Sequence, residues 1–191
     1  MIFRKIFFYF SLTLLLFFSC RSDKLPAPYT QITPLSIVEV PDGLPEISGI
    51  VYQSQQYIYA HNDGGHGPYL FEVSLTEKRV NKKVKINNAS NIDWEDIAQD
   101  SSHIYIGDFG NNSGNRTDLK IYKINKIDIQ NMDSVEAEVI EFSYPDQTYF
   151  EANNNHNFDC EGMISWGDSL FLFSKNRKDQ KTKCYTLPKL P

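Results

Sequence analysis

One pattern occurs three times along this chain, and it restricts the fold more than any other feature. Glu46-Ile47-Ser48-Gly49-Ile50 precedes Tyr57-Ile58-Tyr59-Ala60-His61-Asn62-Asp63. Asp93-Trp94-Glu95-Asp96-Ile97 precedes Ile104-Tyr105-Ile106-Gly107-Asp108. Asp159-Cys160-Glu161-Gly162-Met163 precedes Leu170-Phe171-Leu172-Phe173-Ser174-Lys175-Asn176. Gly49 to Tyr57, Asp96 to Ile104 and Gly162 to Leu170 are each eight positions. The apolar runs are short, aromatic and β-branched, and Gly, Asn and Asp punctuate them, which is the signature of strands and turns. No 3.6-residue periodicity competes with it.

Each copy continues alike. Residues 69–73, 119–124 and 184–187 read as third strands, and residues 79–86 and 136–144 as fourth strands. A four-stranded antiparallel meander recurring at roughly 40–50 residues is the unit of a β-propeller. The expected fold is therefore all-β, a partial propeller over residues 44–191. It holds about two and three-quarter blades, because the third copy ends after its third strand. Propellers close with typically four to eight blades, so the expectation is a truncated chain or an assembly of copies, truncation being the simpler. A β-sandwich would explain the strands but not the repeated spacing.

Residues 1–19 read as an export signal. Arg4 and Lys5 precede an apolar run from Ile6 to Phe18, followed by Ser19 and Cys20. Thirteen helical residues rise only about 20 Å, short of the roughly 30 Å hydrocarbon core, so a membrane span is the poorer reading. Cys20 after a small residue resembles the lipid-attachment cysteine of bacterial lipoproteins. That resemblance implies a chain anchored to a membrane of the cell envelope, with residues 20–43 as a proline-rich tether. Without residues 1–19 the chain keeps 17 Lys+Arg against 24 Asp+Glu, a net charge near −7. That balance argues against a nucleic-acid partner. Cys160 and Cys184 fall on strands that are not neighbours, so both are expected as free thiols.

Antiparallel strands bring the start of strand one and the end of strand two to the same end of a blade. Two groups of polar residues should converge there. The first comprises the acidic entries Glu46, Asp93, Glu95, Asp159 and Glu161, candidate ligands for a metal. The second comprises His61, Asn62, Asp63, Asp108, Asn111, Asn112 and Asn176, candidate ligand-binding residues. Calcium takes six to eight oxygens from such groups, and a bound cation relieves the mutual repulsion of crowded carboxylates. Turn chemistry alone also uses Asp, Asn and Gly. Trp94 is expected between blades. The loop from Asp108 lacks the Gly and Glu that an EF-hand requires at its sixth and twelfth positions, and no His-Glu-x-x-His or Gly-x-Ser-x-Gly occurs.

Asp93-Trp94-Glu95-Asp96-Ile97, Gly107-Asp108-Phe109-Gly110-Asn111-Asn112 and Asp159-Cys160-Glu161-Gly162, in that order, resemble propeller lipoproteins and secreted proteins of Bacteroidota. The resemblance spans about residues 44–188. Members of that family run longer, which implies truncation here. The Asp-x-Glu-Gly entry is also similar to calcium-dependent propeller hydrolases of the phytase-like and lactonase-like kinds. Two functions follow as expectations. One is a binding or scaffold module for a ligand or protein partner at the envelope. The other is a calcium-dependent hydrolase of phosphoesters, esters or lactones, for which His61 is the best candidate base.

Overall fold

The computed structural model describes residues 33, 35, 39, 41 and 43–191. The expected export signal, Cys20 and most of the expected tether lie outside the described residues. The described chain is all-β, with three separate sheets whose strands follow one another in order. The first sheet is β1 (Ile47–Tyr52), β2 (Tyr57–Asn62), β3 (Tyr69–Ser74) and β4 (Arg79–Ile86). The second begins with β5 (Trp94–Gln99), β6 (His103–Asp108) and β7 (Lys120–Asn125). A short helix, α1 (Lys126–Asn131), follows β7, capped where the Asn125 side chain accepts from the Ile127 amide.

The second sheet's fourth strand, expected over residues 136–144, is shorter: β8 (Ser134–Val135), just before that range, pairs in parallel with β4 and so joins the first sheet. Within the range, β9 (Glu138–Glu141) closes the second sheet against β7. Ala137 lies between them, and its amide is taken by the Asn88 side chain at 2.9 Å. The chain thus crosses from one sheet to the other without losing that backbone bond. The third sheet is β10 (Asp159–Trp166), β11 (Ser169–Lys175) and β12 (Cys184–Pro188).

The sheets stack face to face, and β5 lies against both β1 and β10. One apolar cluster, with Val51, Tyr59, Trp94, Ile97, Ile104 and Ile106, fills the seam between the first and second sheets. Another, with Ala98, Tyr105, Ile121, Met163, Leu170 and Leu172, fills the seam between the second and third. Strict alternation supplies residues to both seams from the same strand: Ile97 faces back and Ala98 faces forward. Trp94 is wholly buried in the first seam, as its place between two acids suggested. Cys160 and Cys184 are both free, the first buried and the second exposed.

The equal eight-residue spacing conceals a difference of register. Gln99 pairs with Ile104 and Ser165 with Leu170, but the equivalent Tyr52 pairs with Ile58. The β1–β2 turn is one residue longer, so the structural counterparts of Ile104 and Leu170 are Ile58, not Tyr57. Asn62, Asp108 and Ser174 therefore occupy equivalent places, opposite Ile47, Trp94 and Cys160.

Candidate functional site

Every first strand carries a bulge at the same place, between Ile47 and Gly49, Trp94 and Asp96, and Cys160 and Gly162. The extra residue is Ser48, Glu95 or Glu161. A bulge re-aims a side chain and tightens local twist. In β5 Trp94 turns into the core, with its ring edge-on to His61 at 5.4 Å and its Nε1 donating to the Ser90 carbonyl at 2.9 Å. Glu95 is half-buried beside Asp93.

The turn after β2 brings Asp63 to the same spot. Asp63, Asp93 and Glu95 each offer a carboxylate oxygen, and these oxygens all lie within 4.8 Å of one another. Oxygens around a calcium ion sit at about 2.3–2.6 Å from it, so ligands on opposite sides are roughly 5 Å apart. The cluster has the span of one such coordination sphere. Two glycines make room for it. A Cβ on Gly64 would come within 2.7 Å of Asp93 Oδ1, and one on Gly110 would collide with Asp93 and with Glu95 Oε1.

Glu95 is pushed up to about 8, first by burial and then by the charges of Glu161, Asp93 and Asp63. Asp93 is also raised, again by burial first, against the Asn112 amide that lowers it. Asn112 Nδ2 donates to Asp93 Oδ2 at 3.1 Å. These carboxyls bear uncompensated charge when ionised, which a bound cation would relieve.

The other acids expected in this set have different neighbours. Asp159 is wholly buried, and Arg177 contacts its Oδ2 through Nη2 at 2.7 Å and Nε at 2.8 Å. Its Oδ1 accepts from the Asn111 amide at 2.8 Å. Glu161 pairs with Lys175 at 2.8 Å. Glu46 has a left-handed backbone, φ 53°, and its exposed carboxylate lies 3.9 Å from His66 Nε2. The open acidic site is thus confined to the seam between the first two sheets rather than spread along all three.

The ligand-binding candidates divide in the same way. Asp63 belongs to the acidic cluster and Asn112 borders it. Asn112 also accepts from Arg177 and so links the cluster to the Asp159 pair. The rest are buried. His61 has no exposed surface, its Nδ1 meets the Asn62 carbonyl at 3.0 Å, and burial lowers its pKa. Asp108 accepts from the Asp93 amide at 3.1 Å and pairs with Arg116 at 3.0 Å. Asn111 Nδ2 donates to the Phe158 carbonyl at 2.9 Å, tying the second sheet to the entry of the third. Asn176 accepts from Ser174 at 2.6 Å and donates to Asp179 at 2.9 Å. The Asn62 carbonyl accepts from Asn91 Nδ2 at 3.2 Å, and the same nitrogen reaches the Asp63 carbonyl at 2.8 Å.

Arg116 is the contact that residue patterns did not single out. It holds Asp108 and Asp118 and donates to the Gly110 carbonyl at 2.9 Å, fixing the loop whose glycine abuts Glu95. The signal was available in principle, since a buried aspartate at the end of an inner strand needs a cationic partner. Asp96 also works across a seam, accepting from the Met163 amide at 2.6 Å.

No family model and no curated protein matches this chain.

Proposed function

We propose that this chain is a lipid-anchored, propeller-type binding module of the bacterial cell envelope that holds a calcium ion on Asp63, Asp93 and Glu95. The observation that carries the reading is the convergence of three carboxylate oxygens within 4.8 Å, from two successive sheets, in a niche that two glycines leave open. The raised pKa of Glu95 supports it, because a carboxyl that resists ionisation alone gains most from a cation. Three carboxylates supply part of a calcium shell, and water or a bound ligand supplies the rest. In this reading the cation ties the first and second sheets together at their common end and presents open coordination positions to a polar ligand.

The repeated meanders and the resemblance to Bacteroidota propeller lipoproteins support the architecture. The Ser19-Cys20 pair supports the anchor. A binding role is favoured over hydrolysis by the burial of His61, which puts the best candidate base out of a substrate's reach.

Calorimetry on the chain with and without calcium tests the proposal. Calcium raises the melting temperature through binding to the native state alone, by an increment that grows with calcium concentration. Glu95→Gln removes most of that increment. An unchanged melting temperature at millimolar calcium overturns the cation reading and leaves the carboxylates as turn residues.

A further inference from the structure

Two departures from the repeated pattern meet at one place. The β1–β2 turn has one residue more than its counterparts. The second sheet carries α1 after its third strand, where the first sheet has only the turn of residues 75–78. Both border a cavity of about 230 Å³ in the first seam, at the end of the strands opposite the acidic cluster. Gln53 and Tyr59 line it from the first sheet, and Gln99, Lys126 and Gln130 from the second. Lys126 and Gln130 are four residues apart and so share a face of α1. Ile129 is buried in the seam and holds the helix there, while Gln130 is exposed and leaves the cavity open to solvent.

The repeat supplies an internal comparison. Tyr59 and Tyr105 are equivalent, and so are Gln53 and Asp100. Tyr105 donates its hydroxyl to Asp100 Oδ2 at 2.8 Å. The first pair makes no such bond. The Tyr59 hydroxyl and Gln53 Oε1 are both buried, and neither has a hydrogen-bond partner among the described residues. Buried polar atoms are as a rule paired, and an exception points to a partner supplied from outside the chain.

We propose that this cavity binds one neutral sugar unit. A hydroxyl both donates and accepts, so neighbouring hydroxyls on a sugar ring accept from Tyr59 and donate to Gln53 Oε1. Tyr59 is pushed up to about 12, first by burial and then by the Glu72 charge, so it keeps the proton it donates. Gln99 Nε2 gives one hydrogen to the Tyr52 carbonyl at 2.7 Å and retains a second. Lys126 Nζ donates to the Asp100 carbonyl and retains two. Lys126 is the charged residue of the lining, and Glu72 beside Tyr59 opposes its pull on an anion, which favours a neutral ligand. The volume falls below the roughly 300–1,000 Å³ of sites for larger ligands, which limits the occupant to about one ring. The inference stands apart from the cation site.

Saturation-transfer NMR of the full chain, in a detergent without a sugar headgroup, tests it with the methyl glycosides of glucose, galactose, mannose and N-acetylglucosamine. At least one is expected to bind with millimolar affinity or better. Tyr59→Phe keeps the ring and weakens that binding about tenfold. It does not lower the melting temperature, because the hydroxyl it removes has no partner in the protein. Tyr144→Phe, at a buried tyrosine of the second seam, leaves binding unchanged. No glycoside bound at millimolar concentration would mean that the cavity holds water only, and would overturn the proposal. So would binding that Tyr59→Phe leaves intact, or acetate or glycine bound there in place of a sugar. The calcium-dependent gain in melting temperature is the same in Tyr59→Phe as in wild type, so the two sites fail or stand separately.

Discussion

Arg177 grips Asp159 with two nitrogens at 2.7 and 2.8 Å, and Asp159 is wholly buried at the first residue of its sheet. The pair replaces, at the third entry, the open acidic arrangement found at the second. Removing one partner of a buried ion pair leaves an uncompensated charge, which costs about 3–5 kcal/mol, whereas removing both costs far less. Arg177→Met is therefore expected to destabilise the protein by about 3 kcal/mol. The double variant Arg177→Met with Asp159→Asn recovers part of that loss. Urea unfolding midpoints of the three proteins check it, and equal losses in the single and double variants would deny the pair its role.

Gly110 abuts both Asp93 and Glu95, closer than any Cβ could. Gly110→Ala must displace the two carboxylates or the loop that Arg116 holds. Overpacking of this kind costs roughly 1–3 kcal/mol. The expected result is a lower melting temperature and loss of the calcium-dependent gain. Gly162→Ala is the control, since its Cβ would meet its nearest neighbour at an ordinary 3.8 Å. If both variants keep the gain equally, the glycine niche does not shape the site.

The proposed anchor makes a separate prediction. If Cys20 carries the lipid, Cys20→Ala removes the attachment point, and recovery in the membrane fraction is expected to fall to background. A single acyl chain holds only marginally, so even incomplete lipidation weakens retention. Metabolic labelling with a fatty acid, followed by fractionation, reads both steps. Wild-type protein that is unlabelled and wholly soluble would remove the anchor from the proposal.

The strands were legible because alternation and turn residues mark each one locally, and β4 coincides with its expected range of residues 79–86. What depended on pairing was less so. The eight-residue count misaligned Tyr57 because a turn can absorb a residue without disturbing the apolar pattern on either side. Residues 136–144 looked like one strand, yet only Glu138–Glu141 pairs with β7, because nothing local tells a residue whether a neighbouring strand will take its amide. The acidic entries were legible as a class, and Asp93 and Glu95 do lie together. That Lys175 and Arg177 would reach Glu161 and Asp159 depends on the register of β10 against β11, which residue types do not encode. The use of Gly64 and Gly110 as a niche appears only when distant segments meet, so no local pattern marks it.

The last prediction concerns pH. Glu95 ionises near 8 in the folded protein against 4.5 ordinarily, with burial the leading cause. Between those values the folded chain holds a proton that the unfolded chain has released. Stability therefore declines as pH rises through that window, because the unfolded state binds fewer protons there. Asp93 and Glu161 are raised as well and act in the same direction, Asp93 from a lower ordinary value and Glu161 from the same one. His61 acts oppositely: its folded pKa lies below 6.5, so its contribution improves as pH rises toward 6.5 and is constant beyond. The difference between wild type and Glu95→Gln isolates Glu95 from these others. In chelator, Glu95→Gln is expected to match wild type near pH 4.5 and to become progressively the more stable of the two up to pH 8. Saturating calcium reverses the order at pH 8, since the cation then binds the carboxylate that the substitution removes. Denaturant midpoints at half-unit pH steps, with and without calcium, read both effects. Parallel curves for the two proteins in chelator would mean that Glu95 titrates as an ordinary exposed acid, and the niche described here would then carry no electrostatic cost for a cation to relieve.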